Sequence, residues 1–582
     1  MTTQRTIPTL RPSDLPDFQI FSDGDPLSRA HNVLSVIVSK SVNKIPYAQI
    51  IMLDGDPSSE DFPLSNEEFF IPGREIEIKA GYHGSVETIF KGIIIKHGLK
   101  ARMDKPPMLV VEAKDESVKM TIGRKNRYFA EVTDSEIIEE IIGEYGQISD
   151  VESTSENHQE MVQYYCTNWD FVLSRAEKNG MLVIPDDGEV IIKKPVVEPE
   201  ASLNLVYGAT VLEFEVEMDA RNQFSSIKGN SWDYTNQEVV ESEAEDPAID
   251  QAGNLQETDL SGVINLDKLE LNHGGRVSEQ ELQAWADAAA VRSSLSKIMG
   301  RVKCQGFSGI KIGNTIELEG IGNRFYGLMF VSGITHQFAD NQWTTDIYTG
   351  LSPEWFSRSE EIIDTKAGGL LPGVNGLQIG IVTALEGDPD GENRIKVKCP
   401  IINKDEEGIW TRISTLDAGN NRGSFFRPEI GDEVIVGFLN DDPRDPIMLG
   451  MLNSSVKPAP LTESDDNNEK GFVTRSGMKV LFNDDKVSTT IETPNGNKIL
   501  LSEDEGSILL EDENGNKIEM TSNGILMESA SDMIIKASGD VNIEGTNINI
   551  KASANFKAEG SAGAELSTSA AAVVKGSIVQ IN

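Results

Sequence analysis

This sequence predicts a mainly β, multidomain fold, and three observations carry the expectation. Strand-length apolar runs with a period of two fill most of the chain, whereas helical spacing occurs in only three places. Residues 378–454 hold five short strands separated by Gly, Asp, Asn and Pro turns. From residue 471 onward, apolar pairs at i, i+2 recur between turn residues, with almost no aromatics. A chain of 582 residues is too long for one core. The division expected is a β-rich domain with helical insertions over 1–363, a linker 364–377, a barrel 378–454, a second linker 455–470 and a β-helical region 471–582.

Residues 1–27 read as extended, punctuated by Pro8, Pro12 and Pro16, with a strand at 18–21 before an Asp23–Gly24 turn. Strand-like runs follow at 33–38, 48–53, 75–79, 88–97 and 108–113. Thr133 and Glu136 form a capping-box pattern, and behind it Ile137, Ile138, Ile141, Ile142 and Tyr145 recur at helical spacing up to Gly146. A second helix fits 167–180, with Trp169, Phe171, Val172, Leu173 and Ala176 on its buried side, and a hairpin follows at 182–192. Residues 234–260 carry eight acids and no base and read as a solvated loop. A third helix is expected over 278–300, opened by Ser278 and Glu281 and closed by Gly300. Strands return over 304–338.

In the barrel, Ile395, Val397 and Cys399 share one strand face and the basic residues the other. Five such strands without a helix read as a small closed barrel of OB type. Barrels of that kind often bind oligonucleotides through basic and stacking residues. Here the loops are acidic instead (Asp388, Asp390, Glu392, Asp441, Asp442, Asp445). In the last region the string at 495–499 recurs at 514–518. The needle-core candidates are Ile499/Leu501, Ile508/Leu510, Ile518/Met520, Ile525/Met527, Val541/Ile543 and Ile548/Ile550. Two inward side chains per strand are too thin a stripe for a core made by one wall, so stacked repeats must bury it. A single-chain β-helix is one solution, and three chains each supplying one wall of a prism is the other.

The string GDPDGENRIKVK…WTRIS…AGNNRGSFFRPEIGDEVIVGFLNDDPRDPIMLGML over 387–452 resembles the OB core of VgrG-type spike proteins. These belong to type VI secretion and related extracellular contractile injection systems and are related to phage tail hub–spike proteins. QYYCTNWDFVLSRAEKNGMLVI at 163–184 and GIKIGNTIELEGIGNRFYGLMFVSGITHQF at 309–338 resemble landmarks of the hub that precedes that barrel. The resemblance implies a homotrimer that links an Hcp-like inner tube and baseplate proteins to a membrane-puncturing tip and carries effector cargo. On that view the needle would hold roughly 12–15 strands spaced about 4.8 Å apart, on the order of 60–70 Å in all. A PAAR-type tip protein would dock on Ile578, Val579, Ile581 and Asn582, with either Ile578 or Val579/Ile581 capping the core.

The charge fits a non-adhesive particle. Acids outnumber bases 94 to 52, a net of −42, which opposes phosphate backbones and anionic membranes alike. Membrane contact would then come only by forced penetration. The N-terminus lacks a signal-peptide pattern, so the chain is expected to be made in the bacterial cytoplasm and expelled or released with its machine. Cys166, Cys304 and Cys399 form no CxxC, and the six histidines form no HExxH or HxH. Gly306–Gly309 is one residue short of a nucleophile elbow, and Asp388–Gly391 reads as a turn, not a calcium loop. No catalytic residue, cofactor or metal site is expected. The competing function, a tailspike-like β-helix that binds or cleaves polysaccharide, needs aromatic platforms, and after Phe482 only Phe556 is aromatic.

Overall fold

The computed structural model describes residues 15–249, 252–266, 268–359, 362 and 364–581. Residues 1–14, with Pro8 and Pro12 of the expected extended segment, lie outside the described residues, as does Asn582. The chain forms two compact units, one of residues 15–375 with 438–443 and one of 376–437 with 444–581. Strands dominate both.

A 13-stranded sheet organises the first unit. From Val33–Ser41 it runs through Tyr47–Leu53, Lys105–Lys114, Ser85–Arg102 and Glu75–Tyr82 to Pro16–Ser22 near one edge. In the other direction it runs through Gly327–Ala339, Gln342–Thr349 and Ile298–Gln305 to Val211–Met218. The join between Val33–Ser41 and Gly327–Ala339 is antiparallel, with Ser41 opposite Gly333 and Ser35 opposite Ala339. It ties segments nearly 300 residues apart, so the sheet cannot close until most of this unit has been made. Val36, Val38, Ile50, Met52, Ile76, Ile78, Phe90, Leu109 and Val111 fill one core beneath it. Trp343 lies stacked between Phe338 and Tyr82 at ring distances of 5.1 and 5.3 Å.

Four helices cover other parts of the unit. Helix α1 (Asp134–Gly143) has both halves of its capping box: Thr133 Oγ1 accepts from Glu136 N, and Glu136 accepts from Thr133 N at 2.8 Å. Helix α2 (Asn168–Lys178) starts at the Thr167 cap, and the two pack Ile137, Ile138, Ile141 and Ile142 against Trp169, Phe171 and Val172. Helix α3 (Glu257–Ile264) and the strand Glu238–Glu243 replace the solvated loop expected over 234–260. Two of the acids share an outward face, so they do not prevent pairing. Glu241 and Glu243 point outward with Lys228 3.4 and 3.9 Å away, while Ser242 turns inward. Helix α4 (Glu279–Leu295) begins at the Ser278 cap but stops short of Gly300. Ile298, Val302 and Cys304 alternate inward in a strand paired on both sides, and that two-sided pairing overrides continued helix. A Cβ at Gly300 would lie 2.5 Å from the Glu215 carbonyl oxygen, which accounts for the glycine.

In the second unit Gln378–Ala384, Ile395–Lys398, Ile409–Ile413, Pro446–Met451 and Glu433–Phe438 close, in that spatial order, into the expected five-stranded barrel. Val382, Ile395, Val397, Val434, Val436 and Met448 fill it. Gly380 is required there, since a Cβ would sit 2.4 Å from Val397 Cγ1. Asp388 closes its turn by accepting from the backbone of Asp390, Glu392 and Arg394 and from the Arg394 guanidinium.

The hub's most buried charge is Asp134, which accepts from Arg175 at 2.6 and 3.1 Å and from Asn179 at 2.8 Å, with Lys178 at 3.4 Å. Burial alone would raise its pKa, but Arg175, Lys178 and Asn179 together hold it well below the usual carboxylate range. The folded form therefore binds its proton less readily than the unfolded chain, whose Asp titrates near about 3.9. Asp134 stabilises the hub fully above that pH, and the contribution is lost as pH falls below it. Asp134→Ala should destabilise the hub by about 3–5 kcal/mol at pH 7, measured by thermal unfolding, with the difference from wild type shrinking below about pH 4.

Candidate functional site

Seven consecutive strands of five residues each, from Glu469–Val473 to Gly524–Glu528, form an antiparallel sheet. Their register lines up two apolar rows on one face. Phe482, Thr489, Leu501, Ile508, Met520 and Ile525 stand opposite one another in sequence, as do Val480, Ile491, Ile499, Leu510, Ile518 and Met527. The other face differs: its central row is flanked by Lys479, Glu492, Lys498, Glu511, Lys517 and Glu528. The two rows, broken only by Thr489, lie opposite a face edged by charges around a central row of Leu481, Thr490, Leu500, Leu509, Glu519 and Leu526.

Among the described residues, nothing covers that face. Met520 is 39% exposed, Leu510 41%, Ile508 42% and Ile525 69%, so these side chains keep a third to two thirds of their surface open. Covering the remainder would contribute about 1 kcal/mol per side chain. The structure thus brings Ile499, Leu501, Ile508, Leu510, Ile518, Met520, Ile525 and Met527 together on one surface, as the i, i+2 pairs predict. Sequence reasoning missed Val480, Phe482, Thr489 and Ile491, which extend the same rows by two strands. Their i, i+2 spacing was a usable signal, masked by the two threonines.

Val541, Ile543, Ile548 and Ile550 fall elsewhere. Among the described residues, 529–581 contain no strand, so the expected 12–15 strands are seven here. The reason is physical: a strand needs a neighbour, and this stretch pairs with none among the described residues. Asn516 marks the change. Its Oδ1 accepts from Ser529 Oγ at 3.0 Å and Ala530 N at 2.9 Å, where the chain leaves the sheet. Asn497, its counterpart in the repeated string, accepts from Glu513 N at 3.4 Å. Bonds from Asn516 and then Asn514 to Asp512 pull that carboxyl down to about 2 and rigidify the turn between them. Of the expected docking residues, Ile578 is 85% and Ile581 91% exposed, with Val579 at 51%, whereas Asn582 lies outside the described residues.

The titratable groups elsewhere have structural duties. His97 is fixed between Ser65 Oγ and the Phe70 carbonyl, and burial pushes His336 down to about 3. All three cysteines are buried, and burial pushes the Cys304 thiol up to about 12. Glu156, His158 and Glu281 approach one another, but Arg175 and Lys178 lie 3.1 and 3.3 Å from Glu281 and already answer its charge.

Comparison with known proteins gives this geometry its setting. Residues 12–340, more than half of the chain, match the family described as the Alg8 N-terminal domain. The chain belongs to this family. Residues 378–452 match the type VI secretion system/phage-baseplate injector OB domain, and 488–582 match the phage baseplate V C-terminal trimerisation domain. The resemblance to VgrG-type spikes read from the barrel therefore holds. Among curated relatives, the type VI secretion system spike protein VgrG1b of Pseudomonas aeruginosa is 34% identical over 113 residues, 18% of this chain and 15% of that protein. Spike protein VgrG3 of Vibrio cholerae is 34% identical over 96 residues, 15% of this chain and 9% of that protein. The alignments thus span under a fifth of either relative. Among solved structures, the 43 kDa tail protein of prophage MuSo2 from Shewanella oneidensis aligns over 58% of this chain and 98% of its own, at 14% identity and a TM-score of 0.44. The E. coli c3393 protein, described as a type VI secretion component, aligns over 74% of this chain and 99% of its own, at 14% identity and a TM-score of 0.36. Among the described residues, no helix is long and apolar enough to cross a membrane.

The match to a trimerisation domain and the open rows lead to one expectation. Ile508→Asp and Ile518→Asp, which place charges on the inner face, should each abolish the trimer in sedimentation runs. Leu526→Asp, on the opposite face, should leave it intact.

Proposed function

We propose that the protein is the non-enzymatic, homotrimeric spike of a contractile injection machine. One observation carries this reading: an apolar face left open by the described residues runs directly into some 50 residues that contain no strand. Three copies answer both deficits. Their sheets bury the rows against one another, and their distal segments supply one another with strand neighbours. The expected division into hub 1–363, barrel 378–454 and needle 471–582, joined by linkers, gives each part a task. The hub meets the Hcp-like tube and the baseplate proteins, the barrel forms a collar, and the needle delivers force at a small tip.

Continuous backbone pairing supports this role, since a rod with every peptide group bonded resists axial load. The trimer would carry three times −42, or −126, a surface that repels anionic membranes and leaves penetration to force alone. Effector cargo and release from the producing cell with the particle belong to the same reading. A PAAR-type tip protein would sit on Ile578, Val579, Ile581 and Asn582, where three equivalent contacts act together.

Removing residues 577–582 should leave the trimer intact, because the two apolar rows lie far upstream, and should abolish capture of a PAAR-type partner in a pull-down. Equal recovery by full-length and shortened spikes would move the docking site elsewhere.

A further inference from the structure

After its last sheet strand, Gln342–Thr349, the hub chain runs through a short strap, residues 352–359, on its way out. The strap carries two aromatic rings that enter different cores. Phe356 packs against the cluster formed by α1 and α2, and Trp355 packs against that of Ile227, Leu271 and Ala289. Between the two rings lies an ion pair. Glu177, in the last turn of α2, is 3% exposed and meets Arg292, in the last turn of α4, at 2.6 Å.

Each partner of that pair also holds strap backbone. The Glu177 carboxylate accepts from Phe356 N at 2.8 Å and Ser357 N at 3.1 Å. The Arg292 guanidinium donates to the Ser352 carbonyl at 3.1 Å and to that of Glu354, and lies over the Trp355 ring at 5.0 Å. The anion thus takes the amides at one end of the strap, and the cation takes the carbonyls at the other. The planar guanidinium holds its donors in a fixed fork, with one nitrogen on the two carbonyls and the other on the carboxylate. The pair and the strap backbone share the same hydrogen bonds, so docking and pairing are mutually dependent.

We propose that Glu177 and Arg292 form a clasp that sets where the chain leaves the hub, and that its opening frees residues 352–359 as a unit while the hub stays folded. The device differs from the Asp134 cluster, which joins α1, α2 and α4 and touches no part of the strap. Nothing in it depends on the spike reading, because every contact lies within the first unit.

Arg358 is exposed and sits inside the strap, giving trypsin a reporter site. In the full-length protein, Arg292→Ala and Glu177→Gln should each speed cleavage after Arg358 on the order of a hundredfold, because cutting tracks the open population. Cuts elsewhere in the hub should keep their rates. Arg292→Lys should also accelerate the cut, since charge without the planar fork is not enough. Trp355→Ala, which undocks the strap without stranding a charge, should behave likewise and serves where the charge variants fail to fold. Arg358 cleavage within about twofold of wild type in the folded variants would overturn the clasp. Hub cuts rising in parallel with the Arg358 cut would also overturn it, because the pair would then support the hub as a whole.

Discussion

A strand cannot leave its backbone groups unpaired, and an apolar row cannot stay in water without cost. The C-terminal region breaks both conditions when it is alone. Across its seven strands each copy offers two side chains per strand to the open face, and among the described residues beyond 528 none is paired in a strand. A wall of that kind is one side of something. The barrel and the hub satisfy themselves, with closed strands around Val382, Val397 and Val436 and a large sheet over its own core, and so can serve as platforms. The dependence therefore lies at one end of the chain, and assembly must be completed there.

Much of this was legible in the sequence because it rests on local rules. The barrel strands show a period of two, and their turns carry Asp, Gly and Asn where Asp388 and Gly391 make the bends. Thr133 with Glu136 and Ser278 with Glu281 announced two helix starts that the structure keeps. The apolar pairs from Ile499 to Met527 fall on one face of the sheet, since side-chain alternation fixes that once the strands are accepted.

The misreadings occur where tertiary pairing overrules composition. Residues 296–300 look helical, but strands on both sides draw Ile298 to Gln305 into a sheet. The acidic run after Tyr234 looks unstructured, yet Glu238–Glu243 pairs along its length with Ser226–Asp233, and Glu241 and Glu243 face outward beside Lys228. The clasp at Glu177 and Arg292 was invisible for a different reason: its members are 115 residues apart and bracket a strap whose own sequence is unremarkable in pattern. Only the fold brings such groups together.

The mass of the unmodified full-length protein in solution tests the central claim most directly. Sedimentation equilibrium at micromolar concentration and near-neutral pH should return three chain masses, with no stable smaller species. A folded, stable monomer would contradict the account, because the two apolar rows would then stand open in water.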